Sequence, residues 1–292
     1  MTQHSPNKVV VVGGGTMGRG IALAAVAAGL DTTLVDPQPD VLATASCYIA
    51  DRAESLASAR DRTAGQLTVA GDLEASLDEA TIVIEAVVEL TDVKRQVFQT
   101  LGRVAEPSAL LASNTSTLSI AELAGAAGGS DRVVGMHFFN PAHRMKLVEV
   151  VAASTTSETT RADAVALCRV LGKEPIVVAD VAGFVTSRLG LLLGNEAMRI
   201  VAEGTATAAD VDTAMRLGYN HPMGPLELAD LVGLDARLNN LKSVTERMGR
   251  AEFAPPSLLC DLVGAGHLGR KSGHGFYRYD ADGAILDGPR HG

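Results

Sequence analysis

KVVVVGGGTMGRGIALAAVAAGLDTTLVD, from Lys8 to Asp36, is the stretch whose reading decides the fold. Its valine run is β-branched and short, as a strand should be. The segment after it is glycine-rich, then helical, and ends at Gly29, a typical C-terminal stop. DTTLVD reads as a second short strand that finishes on Asp36. Gly13, Gly15 and Gly18 therefore form G-x-G-x-x-G between a strand and a helix, with Thr16 and Met17 inside the motif. The string alone is a weak signal, but in this position glycines permit a tight turn and the close approach of a pyrophosphate. The helix N-terminal amides and dipole then hold its charge. Asp36 can accept both ribose hydroxyls of an adenosine. It would repel a 2′-phosphate, and no Arg or Lys follows it until Arg52, so NAD is favoured over NADP. FAD uses a similar fingerprint and is the alternative ligand; the chain shows no further flavin signal.

Outward from this unit the alternation continues. Asp40 to about Ala64 reads as helix, followed by LTVA, a helix-like DLEASLDEA, the strand TIVIEAV, the helix TDVKRQVFQTLGRVA and the strand ALLASNTS. Strands alternating with helices imply right-handed crossovers and a doubly wound, mainly parallel sheet. After Asp131 the strands come close together, as RVVGMHFF, KLVEVVA and, beyond a helix from Glu158 to Leu171, PIVVAD; these could extend the sheet as a mixed portion. From Phe184 the strand signal gives way to Leu/Ala/Met sequence at helical spacing. The expectation is an α/β domain over 1–183 and an all-helical domain over 184–292.

Composition narrows the function classes. A chain of 292 residues with 47% hydrophobic residues has enough sequence for two cores. A net charge of −9 without a visible basic patch argues against nucleic acid and anionic membrane as partners. MTQHSPNK lacks the apolar stretch of a signal peptide, and no run of about twenty apolar residues could span a bilayer, so a cytoplasmic protein is expected. Cys47, Cys168 and Cys260 are far apart and outside any metal-ligand spacing, which suggests reduced thiols packed in the core and no metal.

GMHFFNPAHRMKLVEV, Gly135 to Val150, raises a different question. Glu149 lies in a strand-like run with apolar residues on both faces, where an unpaired carboxylate is costly. An enzyme that oxidises an alcohol with a nicotinamide needs a base for the hydroxyl proton, and histidine titrates near neutral pH. If the two strands lie side by side, Glu149 could meet the ring nitrogen of His137 that faces away from substrate, fixing the tautomer. A buried structural pair, or a Glu149 that reaches solvent at an edge, are the other readings.

GGGTMGRGIA, VIEAVVE, SNTST, GMHFFNPAHRMKLVEV, GFVTSRL and HPMGPLELADLVGLD, in this order, resemble the L-3-hydroxyacyl-CoA dehydrogenase family over nearly the whole chain. The resemblance implies an NAD-binding Rossmann domain, a helical domain that makes most of a homodimer, and interconversion of an L-3-hydroxyacyl-CoA with a 3-ketoacyl-CoA. It implies His137 as base, Glu149 as the carboxylate that orients it, and Ser116 on the substrate oxygen near nicotinamide. It further implies Asn140 as a cofactor contact, Glu89 and Lys94 near the nicotinamide ribose, and Lys271 near the cofactor. Without it, Ser116 reads as a turn serine, and Glu89 and Lys94 as a solvated helix start.

Two departures stand out. Where the family usually has asparagine in GF-x-x-N-R, this chain has Ser187, which keeps a donor but is shorter. Losing one donor to a developing oxyanion costs about 3 kcal/mol, so a slower enzyme or a variant substrate is expected. The family also carries lysines that hold the CoA nucleotide after the second strand. Here no lysine occurs from Val9 through Val93, and Arg52, Arg60 and Arg62 are the cations of the corresponding segment. Either arginines replace lysines, or the acyl group arrives on a carrier-protein phosphopantetheine or as a non-thioester acid, as in related carnitine and gulonate enzymes. A non-catalytic NAD-binding protein of the crystallin type is the remaining alternative.

Overall fold

A computed structural model describes residues 8–286. The chain divides into two compact units, one ending at Phe184 and the other beginning at Val185. In the first, the elements run β1 (Val9–Val12), α1 (Thr16–Ala27), β2 (Thr32–Val35), α2 (Pro39–Ser58), β3 (Leu67–Ala70), α3 (Leu73–Ser76), β4 (Ile82–Glu85), α4 (Thr91–Val104), β5 (Leu110–Ser113), α5 (Ile120–Ala126), β6 (Val133–Phe138), β7 (Leu147–Ala152), α6 (Glu158–Val170) and β8 (Glu174–Ala179). They build one eight-stranded sheet in the order β3-β2-β1-β4-β5-β6-β7-β8. Neighbouring strands are parallel except β6 and β7, which are antiparallel. The mainly parallel sheet with a mixed extension is thus what forms.

Helices on both faces explain why β1, β2, β4 and β5 are buried along their whole length and read as continuous apolar runs. One core layer packs Ile21, Leu23, Leu34, Ile49 and Met136 against one sheet face, and another packs Phe98, Leu101, Leu111, Ile120 and Leu123 against the other. The strand order reverses between β1 and β4, so their carboxyl ends open the crevice where open α/β sheets bind ligands.

Some expectations are corrected. The second helix stops at Ser58, short of Ala64, because Asp61 takes a left-handed φ of +54° and Arg62 bonds back to Ala57. DLEASLDEA makes only the single turn of α3, capped by Asp72. Cys168 is in the core, but Cys47 and Cys260 are exposed on the outer faces of their helices.

The second unit is helical: α7 (Thr186–Ala202), α8 (Ala208–Tyr219), α9 (Pro225–Val232), α10 (Leu234–Met248) and α11 (Ser257–Gly264), with short 3-10 turns at Ala251–Phe253 and Arg270–Ser272. Two buried carboxylates tie it together. Asp212 accepts hydrogen bonds from the amides of Leu226 and Glu227 and from the Tyr277 hydroxyl, capping the start of α9. Asp230 accepts from the amides of Phe276 and Tyr277 and the Tyr279 hydroxyl, so it clasps the last described segment of chain; burial pushes its pKa up. Among the described residues no helix is long and apolar enough to cross a membrane.

Candidate active site

The glycine loop follows β1. Gly13 has φ +104°, and a Cβ on it would lie 2.7 Å from the Ala86 carbonyl oxygen; a Cβ on Gly18 would lie 1.7 Å from the Gly13 oxygen. Both positions exclude any side chain for packing reasons alone. Gly15 differs, because a Cβ there would meet nothing within 4 Å. It is the N-cap of α1, which has no side-chain cap and no acid in its first turn. Open space, uncapped amides and the positive dipole end at Gly15, Thr16 and Met17 are the provisions a pyrophosphate needs. Asp36 follows β2 and accepts the Gly14 amide at 2.8 Å through Oδ2 and the Gln38 amide at 2.9 Å through Oδ1. Each oxygen keeps a lone pair for a ribose hydroxyl. The residues present therefore fit a dinucleotide.

At the carboxyl ends of β4 and β5 lies a charged network that sequence reading caught only in part. Lys94 on α4 is fully buried, with Nζ 2.6 Å from Glu85 Oε1 and 3.3 Å from Glu89 Oε2. Glu85, also buried, accepts further bonds from the Ser113 hydroxyl and the Val87 amide, both at 2.7 Å. Glu89 accepts from the Thr115 hydroxyl at 2.5 Å and from the Ser116 amide at 2.8 Å. Burial works to raise the Glu89 pKa, but the Lys94 charge and these hydrogen bonds outweigh it and leave it below the ordinary value. Lys94 is therefore no solvated residue of a helix start, whereas Glu89 stays exposed and is held in place by these bonds. Ser116 is half-buried and its hydroxyl lies 3.4 Å from Glu89 Oε1, so the network fixes the backbone that carries it.

His137 sits one residue before the end of β6, and its register partner on β7 is Glu149. The side chains meet with His137 Nδ1 2.7 Å from Glu149 Oε2. Glu149 is fully buried, which removes the solvent-edge reading; His137 is 8% exposed. The rings of Phe139 and Phe184 flank the imidazole at centroid distances of 4.6 and 5.7 Å. With Nδ1 committed to the carboxylate, its proton lies there and Nε2 keeps a lone pair. Asn114, a residue the sequence reading passed over, accepts the Phe138 amide at 2.8 Å and so links the loop after β5 to the histidine strand. Asn140 is exposed just beyond β6. Ser187 lies in the first turn of α7, and Lys271 on the second unit's last 3-10 turn pairs with Asp235 at 2.6 Å.

Glycine loop, acid, buried lysine network and His–Glu pair thus all arise at or just beyond the carboxyl ends of β1, β2, β4, β5 and β6. That arrangement is the crevice of a dinucleotide-binding dehydrogenase fold, with a buried histidine–carboxylate pair at its rim. Comparison with known proteins sharpens the class. Residues 8–181 match the family described as 3-hydroxyacyl-CoA dehydrogenase, NAD binding domain, and residues 183–279 match 3-hydroxyacyl-CoA dehydrogenase, C-terminal domain. The chain is 40% identical over 280 residues to the probable 3-hydroxybutyryl-CoA dehydrogenase of Bacillus subtilis, covering 94% of this chain and 97% of that protein. To the 3-hydroxybutyryl-CoA dehydrogenase of Mycobacterium tuberculosis it is 41% identical over 281 residues, covering 93% and 98%. The crystal structure of (S)-3-hydroxybutyryl-CoA dehydrogenase PaaH1 from Ralstonia eutropha is similar at a TM-score of 0.86 and 36% identity, over 94% of this chain and 100% of that one. The chain belongs to the 3-hydroxyacyl-CoA dehydrogenase family and is an NAD-dependent oxidoreductase of that kind.

Proposed function

We propose that the protein interconverts short-chain L-3-hydroxyacyl-CoA and 3-ketoacyl-CoA thioesters, with 3-hydroxybutyryl-CoA as its favoured substrate. The observation that carries this reading is the 2.7 Å contact of His137 with the buried Glu149 at the rim of a dinucleotide crevice. Bound NAD supplies the hydride acceptor in oxidation, and NADH the donor in reduction. Gly15, Thr16 and Met17 would hold its pyrophosphate with Gly13 and Gly18 shaping the turn, and Asp36 its adenosine ribose. Glu89 and Lys94 are assigned to the nicotinamide ribose, Asn140 to a cofactor contact, and Lys271 to the vicinity of the cofactor. His137 Nε2 takes the proton of the substrate hydroxyl during oxidation and returns it to the ketone oxygen during reduction. Glu149 holds the Nδ1 proton and stabilises the imidazolium formed. Ser116 donates to the substrate oxygen, and Ser187 takes the place where family members carry asparagine.

The family's homodimer is assigned here to the helical unit. Its support is apolar surface left exposed on that unit: Leu189 on α7, Leu217 on α8, and Leu231 and Val232 on α9. A cytoplasmic location is part of the same reading. The test is to mix purified protein with NADH and acetoacetyl-CoA and follow absorbance of the reduced nicotinamide. Oxidation of NADH is expected; no turnover of acetoacetyl-CoA or any longer 3-ketoacyl-CoA would sink the assignment.

A further inference from the structure

Arg237, on α10 of the helical unit, is a cation for which the reaction described above has no use. It is 6% exposed, and its Nη2 donates to the Gly190 and Leu191 carbonyls of α7 at 3.0 and 3.1 Å. Its Nε is buried and donates to nothing among the described residues. No carboxylate among them lies within ion-pair distance, and the nearest acid in sequence, Asp235, is paired with Lys271. Burial lowers the guanidinium pKa to about 10 from an ordinary 12.5, and no neighbouring acid opposes that shift. A buried cation without a counter-charge destabilises the fold, a cost that an anionic ligand would offset.

The sequence of α7 makes room for this side chain. A Cβ on Gly194 would lie 1.8 Å from Arg237 Nη2, so the guanidinium sits where any other residue would place its side chain. A Cβ on Gly190 would meet nothing within 4 Å, which leaves open space on α7 beside a carbonyl that the guanidinium holds. Ser187, Gly190, Leu191 and Gly194 follow the spacing i, i+3, i+4, i+7 and so share one face of the helix. Ser187 is the residue that stands where the family places a donor toward the substrate oxygen. Arg237 therefore attaches to the same face of α7 as the reacting end of the substrate, about 5 Å further along. A few methylene groups cover that distance.

We propose that Arg237 is a specificity-determining residue that binds a carboxylate at the far end of the acyl chain, so that the protein takes CoA thioesters of 3-hydroxy dicarboxylic acids in preference to uncharged acyl groups of equal length. The inference rests on the thioester reading above and on the place given there to Ser187. Arginine suits the task because its planar guanidinium stays charged when buried and its fixed donors match a carboxylate. Nη2 is anchored on α7, and the buried Nε still has a proton to give. Four-carbon acyl groups end short of the guanidinium, so the preference concerns longer chains. Discrimination of this kind is strong because a methyl end brought to the same place leaves the cation unpaired.

Two six-carbon substrates that differ only at the chain end test this, L-3-hydroxyadipyl-CoA with a carboxylate and L-3-hydroxyhexanoyl-CoA with a methyl group. With NAD and the unmodified protein, kcat/KM for the carboxylate-ended thioester should exceed that for the methyl-ended one about tenfold or more. Arg237→Met should bring the ratio close to one or reverse it, mainly through KM for the carboxylate-ended thioester. Arg237→Lys keeps a cation and should retain part of the preference. The methionine variant also loses an uncompensated buried charge, so its melting temperature should hold level or rise. Equal kcat/KM for the two thioesters in the unmodified protein overturns the proposal, as does a preference that survives in Arg237→Met. A lower melting temperature, or conversion of dimer to monomer, with the ratio unchanged would make Arg237 a tie between helices or subunits and overturns it too. Turnover of acetoacetyl-CoA with NADH separates the two readings. If acetoacetyl-CoA is reduced and the ratio is one, this inference fails alone; if no thioester turns over, the proposed function fails and takes the inference with it.

Discussion

His137 and Glu149 are direct partners across the one antiparallel pair in the sheet, with Nδ1 and Oε2 2.7 Å apart. The antiparallel turn of the chain at this point is what lets a histidine and a carboxylate only twelve residues apart in sequence meet from adjacent strands. Replacing the imidazole by a side chain that still donates to Glu149 isolates proton transfer from burial of an orphaned carboxylate. His137→Gln should therefore lower kcat by roughly 10²–10⁴-fold while NADH affinity, measured by fluorescence titration, stays within about twofold. Glu149→Gln keeps the register but offers an uncharged partner, and should cost about 10–100-fold in kcat. Full activity in the His137 variant would remove the histidine from the reaction.

The glycine loop separates two roles that a motif string merges. Gly15→Ala places a methyl group in open space, so melting temperature should be unchanged while NADH affinity drops about tenfold or more. Gly18→Ala drives a methyl into the Gly13 carbonyl and should lower the melting temperature as well as cofactor binding. Equal stability loss in both variants would mean that Gly15, too, is there for packing.

How much of this was legible beforehand depended on whether a residue's role is set by its own neighbours in sequence. The β1–α1–β2 unit was, because valine runs, glycines and the terminal Asp36 each carry a local conformational preference. Glu149 was legible as a problem, since an acid between valines needs a partner. Glu85 and Asn114 were not: each acts through a neighbouring strand or helix, Glu85 on Ser113 and Lys94, Asn114 on the Phe138 amide. Lys94 looked like any polar residue opening a helix until the carboxyl ends of β4 and β5 closed over it. The length of α2 was overread because the alanines and arginines beyond Ser58 are good helix formers, whereas tertiary bonds decide there: Arg62 donates to the Ala28 and Val170 carbonyls.

The Lys94 network predicts a stability effect distinct from catalysis. Lys94→Met would leave Glu85 buried without its cation and should destabilise the protein by about 3–5 kcal/mol in chemical denaturation. Adding Glu85→Gln removes the uncompensated charge, so the double variant should be more stable than Lys94→Met alone. A double variant that is less stable by the sum of the single losses would show that the two side chains do not act as a pair.

Lys173 supplies a prediction in pH. It follows α6, is 5% exposed, and donates through Nζ to the Ala142 carbonyl at 2.6 Å and the Met145 carbonyl at 2.8 Å, pinning the turn between β6 and β7. Burial, with the Arg60 charge as a smaller cause, lowers its pKa to about 8 from an ordinary 10.5. Between those values the folded protein has released the proton while the unfolded chain still binds it, so stability contributed by this group rises with pH across the window. Below about 8 both states are charged, the advantage is lost, and the cost of burying the ammonium is fully present. Denaturation midpoints taken from pH 7.5 to 10 should therefore carry an upward component that Lys173→Met abolishes. Parallel pH profiles for variant and unmodified protein would show that the amine is not perturbed. Because the same amine holds the turn that leads from His137 to Glu149, the variant should also lower kcat more than it raises KM for NADH.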